Sequence, residues 1–227
     1  MKLTIFLVLS TLLCSACGEV PADSAAVRPV QKVAAAQGVP YRWLPDQSTI
    51  RWKATHTGGL SPRFGSLRLL NGGASVQEGQ LSSGVLEIDM ASLVVAEESV
   101  TETDKKASDL QELLKGETFF NVAQYPRASF VLTGVVPFDT TVDKSLLSGV
   151  NYKVSGNLNI KAATRNITFP AVILVQDSLL LVKANFMIDR DSWGLNFGSA
   201  GNPADMGVSK EFEVTISLTG LKEHDGY

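Results

Sequence analysis

The sequence predicts an all-β domain: an eight-stranded antiparallel barrel carrying one amphipathic helix after its third strand. Three observations predict it. Eight segments of strand length either alternate apolar with polar residues or run apolar throughout. Only the stretch between Thr101 and Lys115 has a clear helical period. An open sheet of that size would leave its edges free to pair with other chains, and closing it removes them. The interior of an eight-stranded barrel is either filled by its own side chains or holds one small ligand. The hydrophobic share of 44% is enough for one sizeable core.

The first residues belong to targeting and not to the fold. Lys2 supplies a positive n-region and Leu3 to Leu13 a short apolar run. That run is roughly 11 residues, and a membrane span needs about 20. Small residues Ser15 and Ala16 precede Cys17, and Leu12-Leu13-Cys14-Ser15-Ala16-Cys17-Gly18 resembles a bacterial lipoprotein signal. The resemblance implies removal of residues 1–16 as a signal peptide and acylation of Cys17 as a lipid anchor. Gly18, in place of Asp, resembles the outer-membrane sorting pattern, so the expected location is the bacterial cell envelope, on the outer membrane facing the periplasm. Cys14 and Cys17 also read as C-x-x-C, a redox or metal signature. Both lie in the processed segment, so neither a disulfide nor a thiolate metal site is expected.

Residues 17–40 are rich in Ala, Val and Gln, hold Pro21, Pro29 and Pro40, and read as an acylated N-terminus with a flexible tether. Residues 41–222 form the barrel domain and 223–227 a polar tail. Within the domain, Ile50, Trp52, Ala54 and His56 share one strand face, while Arg51, Lys53 and Thr55 take the other. Phe64 to Leu70 is the second strand and Asn71-Gly72-Gly73 a strong turn signal. Gly84 to Met90 alternates as the third. Ala107, Leu110, Leu113 and Leu114 then share a helical face, with Gly116 where a C-terminal cap belongs. This helix is a candidate lid or end-plug. Ala128 to Val136, Tyr152 to Ile160, Asn166 to Val175, Leu179 to Ile188 and Lys210 to Leu218 complete the eight. Between the last two, the chain breaks at Asp189-Arg190-Asp191 and presents Trp193, Gly194 and Phe197 in a polar loop. Aromatics of that size are not expected merely to be solvated, so the loop is expected to close one end of the barrel.

Several of these segments resemble the YceI-like family of lipocalin-like proteins that bind polyisoprenoid lipids. Ile50-Arg-Trp-Lys-Ala-Thr-His56 is similar to its first strand, and Phe64-Gly65 to the opening of its second. Phe119-Phe120-Asn-Val-Ala-Gln-Tyr-Pro126, followed by Ala128-Ser-Phe130, resembles its double-Phe segment. Gly156 to Arg165 and Ile188 to Gly194 resemble two later motifs. The resemblance implies a lipocalin-like barrel whose ligand is a long-chain isoprenoid lipid or quinone. Where the family often has His-Leu, this chain has Leu113-Leu114. That departure implies recognition of a ligand mainly by its tail. The residues expected around the ligand are Trp52, His56, Phe64, Phe119, Phe120, Phe130, Phe186, Ile188, Arg190, Trp193 and Phe197. Phe119 and Phe120 either line the lumen or staple the helix to the barrel. Asp189, Arg190 and Asp191 either form a loop-ordering ion pair or touch the ligand.

Other classes find little support. The net charge of -3 and the absence of a basic run argue against nucleic acid as a partner. The two histidines are His56 and the near-terminal His224, and there is no G-x-S-x-G elbow. One internal His without Cys or clustered carboxylates gives too few metal ligands. No enzyme activity, metal or cofactor is therefore expected. Two functions remain: an envelope-anchored lipoprotein that carries or sequesters an apolar lipid, with the membrane as its second partner through Cys17, or a structural lipoprotein whose barrel is self-filled.

Overall fold

A computed structural model describes residues 23–56, 58–196 and 207–223. The stretch expected as a signal peptide, Cys17, Phe197 and His224 lie outside the described residues. In chain order the elements are β1 (Ala26–Arg28), β2 (Val39–Trp43), β3 (Thr49–His56), β4 (Arg63–Gln77), β5 (Gln80–Val95), α1 (Ala107–Lys115), β6 (Arg127–Pro137), β7 (Tyr152–Ile160), β8 (Ala163–Val175), β9 (Leu179–Asp189) and β10 (Val208–Lys222).

β2 and β3 both lie between β10 and β4, separated by a 3-10 turn at Pro45–Gln47, so together they occupy one place in the wall. From there, β4 through β10 pair in sequence, each antiparallel to the next, and β10 returns to β2 and β3. The result is a closed eight-position antiparallel barrel. Alternation along β10 sets its inner face: Phe212, Val214 and Ile216 stand opposite Ala54, Trp52 and Ile50 of β3, and opposite Ile188, Phe186 and Ala184 of β9. One face of each strand therefore points to a common apolar core that runs through the barrel.

The turn expected at Asn71-Gly72-Gly73 is strand. β4 runs through it and pairs with β5 up to Gln77 opposite Gln80, and the reversal is made by Glu78 (φ 51°) and Gly79 (φ 76°). Positive φ at both central residues is what a two-residue hairpin with strand-matched twist requires. Gly72 has another task. Its φ is 134°, and a Cβ there would lie 2.2 Å from the Val85 carbonyl oxygen, so only glycine lets β4 curl this tightly against β5.

The helix also differs from expectation. It starts at Ala107 and not near Thr101, and in chain order it follows the fifth strand, after a 3-10 turn at Glu97–Ser99. It packs on β5 at one end of the barrel, burying Ala107 fully and Leu110 and Leu114 in part against Leu93 and Val95. Gly116 is its C-cap, with φ of -68°, its N–H donating to the carbonyls of Glu112 and Leu113.

The N-terminal stretch expected as a tether is bound to the barrel from Asp23 to Gln37. β8 and β9 pair only through Ala171–Val175 and Leu180–Ala184. Ala171 and Ile173 direct their backbone groups toward Asn151, so Pro170 turns the opposite way, toward β9, with no N–H to offer. The two strands diverge there, and residues 23–28 fill the gap. Ala25 N–H donates to the Met187 carbonyl, Met187 N–H to that of Asp23, and β1 pairs antiparallel with Asn166–Thr168. The chain then crosses the outer wall as a strap. Asn157 exchanges two hydrogen bonds with the Gln31 backbone (3.0 and 2.8 Å) and accepts a third from the Asn166 amide (3.0 Å). Both asparagines are buried beneath it. No apolar periodicity marks this stretch because its docking is through backbone and amide groups.

Asn157→Ala removes both bonds to the strap and leaves the buried Asn166 amide short of an acceptor. The expected cost is about 1–3 kcal/mol in urea unfolding, with faster amide exchange at Gln31 and Ala34, whose N–H groups donate to Asn157 and to the Leu132 carbonyl. Unchanged exchange at those two amides would show that the strap does not depend on the asparagine.

Candidate functional site

Two cavities lie end to end. The inner one, about 130 Å³, occupies the barrel axis and its exposed lining is apolar; Trp43, Phe130, Phe169, Phe186, Ile188 and Val214 are among its walls. The outer one, about 450 Å³, lies at the mouth under α1 and is walled by His56, Arg63, Leu110, Leu114, Phe119 and Arg190 among others. Trp52, Leu67, Phe120 and Phe212 line both, and so form the neck between them. Ligand pockets commonly span about 300–1,000 Å³. The outer chamber falls in that range and the inner one below it.

The inner volume is small because rings fill the axis. Phe169 and Phe186 stack with centroids 4.0 Å apart and planes 12° from parallel, and Phe130 tilts against Phe169 at 5.7 Å. Phe130 lies flat on Gly156, where a Cβ would come within 2.0 Å of the ring. At the far end, the Trp43 indole N–H is satisfied by the Val85 carbonyl at 3.0 Å. The Trp52 Nε1 is different: it is buried and, among the described residues, has no hydrogen-bond partner.

The mouth is held by polar contacts. Arg63 donates to the Ser99 carbonyl (2.7 Å) and to Glu102 (2.5 Å), which also accepts from Lys105 (3.3 Å). Hydrogen bonding from its own backbone, and then from Arg63, holds the Glu102 carboxyl down at about 2. Lys161, at the β7–β8 hairpin tip, donates to the Phe119 carbonyl at 2.7 Å and ties the double-Phe segment to the rim. Phe119 meets Phe120 edge to face, with centroids 4.8 Å apart.

Of the residues expected around a ligand, Trp52, Phe120, Phe130, Phe186 and Ile188 line the inner cavity, and His56, Phe119 and Arg190 the outer one. Two stand elsewhere. Phe64 pairs with the exposed Lys53 on the outward face of β4, while its neighbours Arg63 and Leu67 point inward. One position of strand parity separates the two faces. Trp193 is buried in the main apolar core, donating to the Leu158 carbonyl at 3.1 Å, and itself lines neither cavity. Arg190 is buried and donates to the carbonyls of Ser209 (3.0 Å), Val208 (3.4 Å) and Leu195. Its neighbours serve the same loop: Asp189 accepts from the Asp191 N–H, and Asp191 pairs with Lys210 at 3.7 Å. Phe169, Phe212 and Leu67 were not anticipated, although Phe169 and Phe212 sit in the same period-two alternation that marks their strands. Among the described residues no group of three His, Cys, Asp or Glu could hold a metal ion.

A closed antiparallel barrel with an apolar axis and a helix-capped mouth defines a class of small single-lumen barrels. The YceI-like domain model matches residues 41–220, and the chain belongs to that family. UPF0312 proteins of Yersinia pestis (strain Pestoides F) and Yersinia pseudotuberculosis serotype O:3 (strain YPIII) are 26% identical over 146 residues, 59% of this chain and 63% of theirs. Two solved structures share the fold at 16% identity. BcnA of Burkholderia cenocepacia has a TM-score of 0.54, covering 78% of this chain and 98% of that one. A polyisoprenoid binding domain from Saccharophagus degradans, implicated in plant cell wall breakdown, has a TM-score of 0.56 and covers 85% and 100%.

Because the Glu102 carboxyl is depressed from 4.5 to about 2, its contribution is complete above the unfolded value and is lost as pH falls through the folded one. A carbon-13 titration of Glu102 should show a midpoint near 2, moving up toward 4.5 in Arg63→Gln. A wild-type midpoint already near 4.5 would mean that the rim latch does not form.

Proposed function

We propose that the barrel binds a long-chain apolar lipid, a polyisoprenoid or a quinone-like molecule, as a carrier or sequestering lipoprotein of the cell envelope. The observation that carries this reading is the continuity of the apolar axis with a ligand-sized chamber at the mouth. A hydrocarbon chain placed there is removed from water along its length and leaves no polar group of its own unpaired. Each buried methylene contributes about 0.8 kcal/mol, and large ligands realise about 0.3 kcal/mol per heavy atom. A chain of some forty carbons would thus bind with about 12 kcal/mol, near nanomolar, with no charged clamp. The polyisoprenoid binding domain from Saccharophagus degradans shares this barrel and supports the same ligand class.

The chain enters from the mouth and passes the neck at Trp52 and Phe120, and the Phe130–Phe169–Phe186 stack gives way to it. Acylated Cys17 holds the domain at a membrane, the outer membrane facing the periplasm by the residue that follows the cysteine. Only six positions separate Cys17 from Asp23, the first described residue, so the barrel rides close to the lipid surface that supplies its ligand.

One observation favours a second reading. An inner free volume of only about 130 Å³, left by rings that stack along the axis, is also what a self-filled structural barrel would have. Native protein extracted with organic solvent separates the two, with the extract identified by mass. A long isoprenoid chain at near one per protein, and its re-uptake by stripped protein, is expected. Repeated preparations with neither would leave the self-filled barrel. For the anchor, Cys17→Ser is expected to move the protein from the membrane to the soluble envelope fraction, and unchanged membrane association would remove the acyl tether.

A further inference from the structure

Resting on the lipid-binding reading, we propose that the ligand carries a neutral acceptor oxygen, of carbonyl type, which the Trp52 indole N–H binds at the neck between the two cavities. An indole nitrogen can only donate. Left without a partner inside a protein it costs free energy comparable to a lost hydrogen bond. Trp43 and Trp193, the other two tryptophans, both place their N–H on a backbone carbonyl, at 3.0 and 3.1 Å. Trp52 alone of the three, among the described residues, has a buried Nε1 without an acceptor, and it is the one that lines both cavities.

The ring is held where it is by a tight fit and not by that nitrogen. Trp52 stands opposite Gly65 of β4, where a Cβ would lie 3.0 Å from the indole Cε2 and 1.8 Å from the Val94 carbonyl oxygen. The pairing seats the indole over bare backbone at the neck, and since its Nε1 is buried, a ligand oxygen reaches it when the entering chain parts the side chains there.

Its surroundings select the chemistry of the acceptor. Inward of Trp52 the exposed lining is apolar, so an oxygen placed deeper would find no donor. Outward, three cations of the mouth are already engaged. Arg63 is bound to Glu102 and the Ser99 carbonyl, Lys105 to Glu102, and Arg190 to three backbone carbonyls. Lys106 shares the chamber wall with Asp104 and Asp109. A phosphate or carboxylate head would have to break these contacts or compete with the two aspartates for Lys106, whereas a neutral carbonyl needs only the Trp52 N–H. The ligand is thereby oriented, with its oxygenated end at the neck or in the chamber and its unsubstituted tail along the axis.

The test compares three probes presented in phosphatidylcholine vesicles to the full chain stripped of lipid: squalene, geranylgeranylacetone and geranylgeranyl diphosphate. Wild-type protein is expected to prefer the ketone to both others, and Trp52→Phe to lower the ketone-over-squalene preference about tenfold, the effect of one hydrogen bond to a buried donor. In the wild type, the Trp52 indole proton should move downfield with the ketone and not with squalene, a readout that does not depend on how well the variant folds. Uptake of the chains with no change in preference in Trp52→Phe and no indole shift, or tighter binding of the diphosphate, would overturn this assignment and leave lipid binding standing. Failure to take up any of the three would overturn the lipid-binding reading and this one with it.

Discussion

β8 and β9 cannot close the wall alone, and the rest of the structure depends on how that gap is filled. With Pro170 facing β9 the ladder ends at Ala171 and Ala184, and an unfilled cleft would open the apolar axis to water beyond that point. Residues 23–28 supply the missing backbone groups, and Asn157 and Asn166 then anchor the chain across the outside of β7 and β8. Closure lets the inward side chains of all eight positions be apolar at once. It also means that the segment next to the proposed membrane anchor is part of the barrel wall.

Once closed, the axis imposes its own economy. Among the described residues the exposed lining below the neck is apolar, so polar chemistry is confined to the rim, where Arg63, Glu102 and Lys161 tie α1 and the double-Phe segment over the opening. Those contacts are with one another and with backbone carbonyls, and the mouth is held together by them. The Trp52 N–H stands apart as a donor held in place by packing against Gly65. Stacked rings along the axis keep the empty volume low, so the axis is not a preformed tube.

Much of this was legible in the chain. Period-two alternation located eight wall strands, because a half-wet strand must alternate, and it placed Trp52, Phe130, Phe186 and Ile188 on inner faces. It misplaced Phe64 by one step of parity, since Phe64-Gly65 puts the ring and the bare backbone on opposite faces and only the partner strand tells which is inside. Gly72-Gly73 resembles a turn locally, yet the same glycines serve close approach within a curled strand when a neighbour lies against them. Trp193 was rightly expected not to be solvated, but its burial behind Leu158 depends on where the loop returns.

What the sequence by itself determined was the alternation, the single amphipathic helix and the aromatic inventory, because each is written in spacing between near neighbours. Tertiary structure decided the rest. It bound residues 23–37 to the barrel, since backbone-to-amide docking leaves no periodic trace. It also brought Trp52 of β3, Phe120 beyond α1 and Phe212 of β10 to one neck, since contacts between residues so far apart along the chain exist only after the sheet has closed.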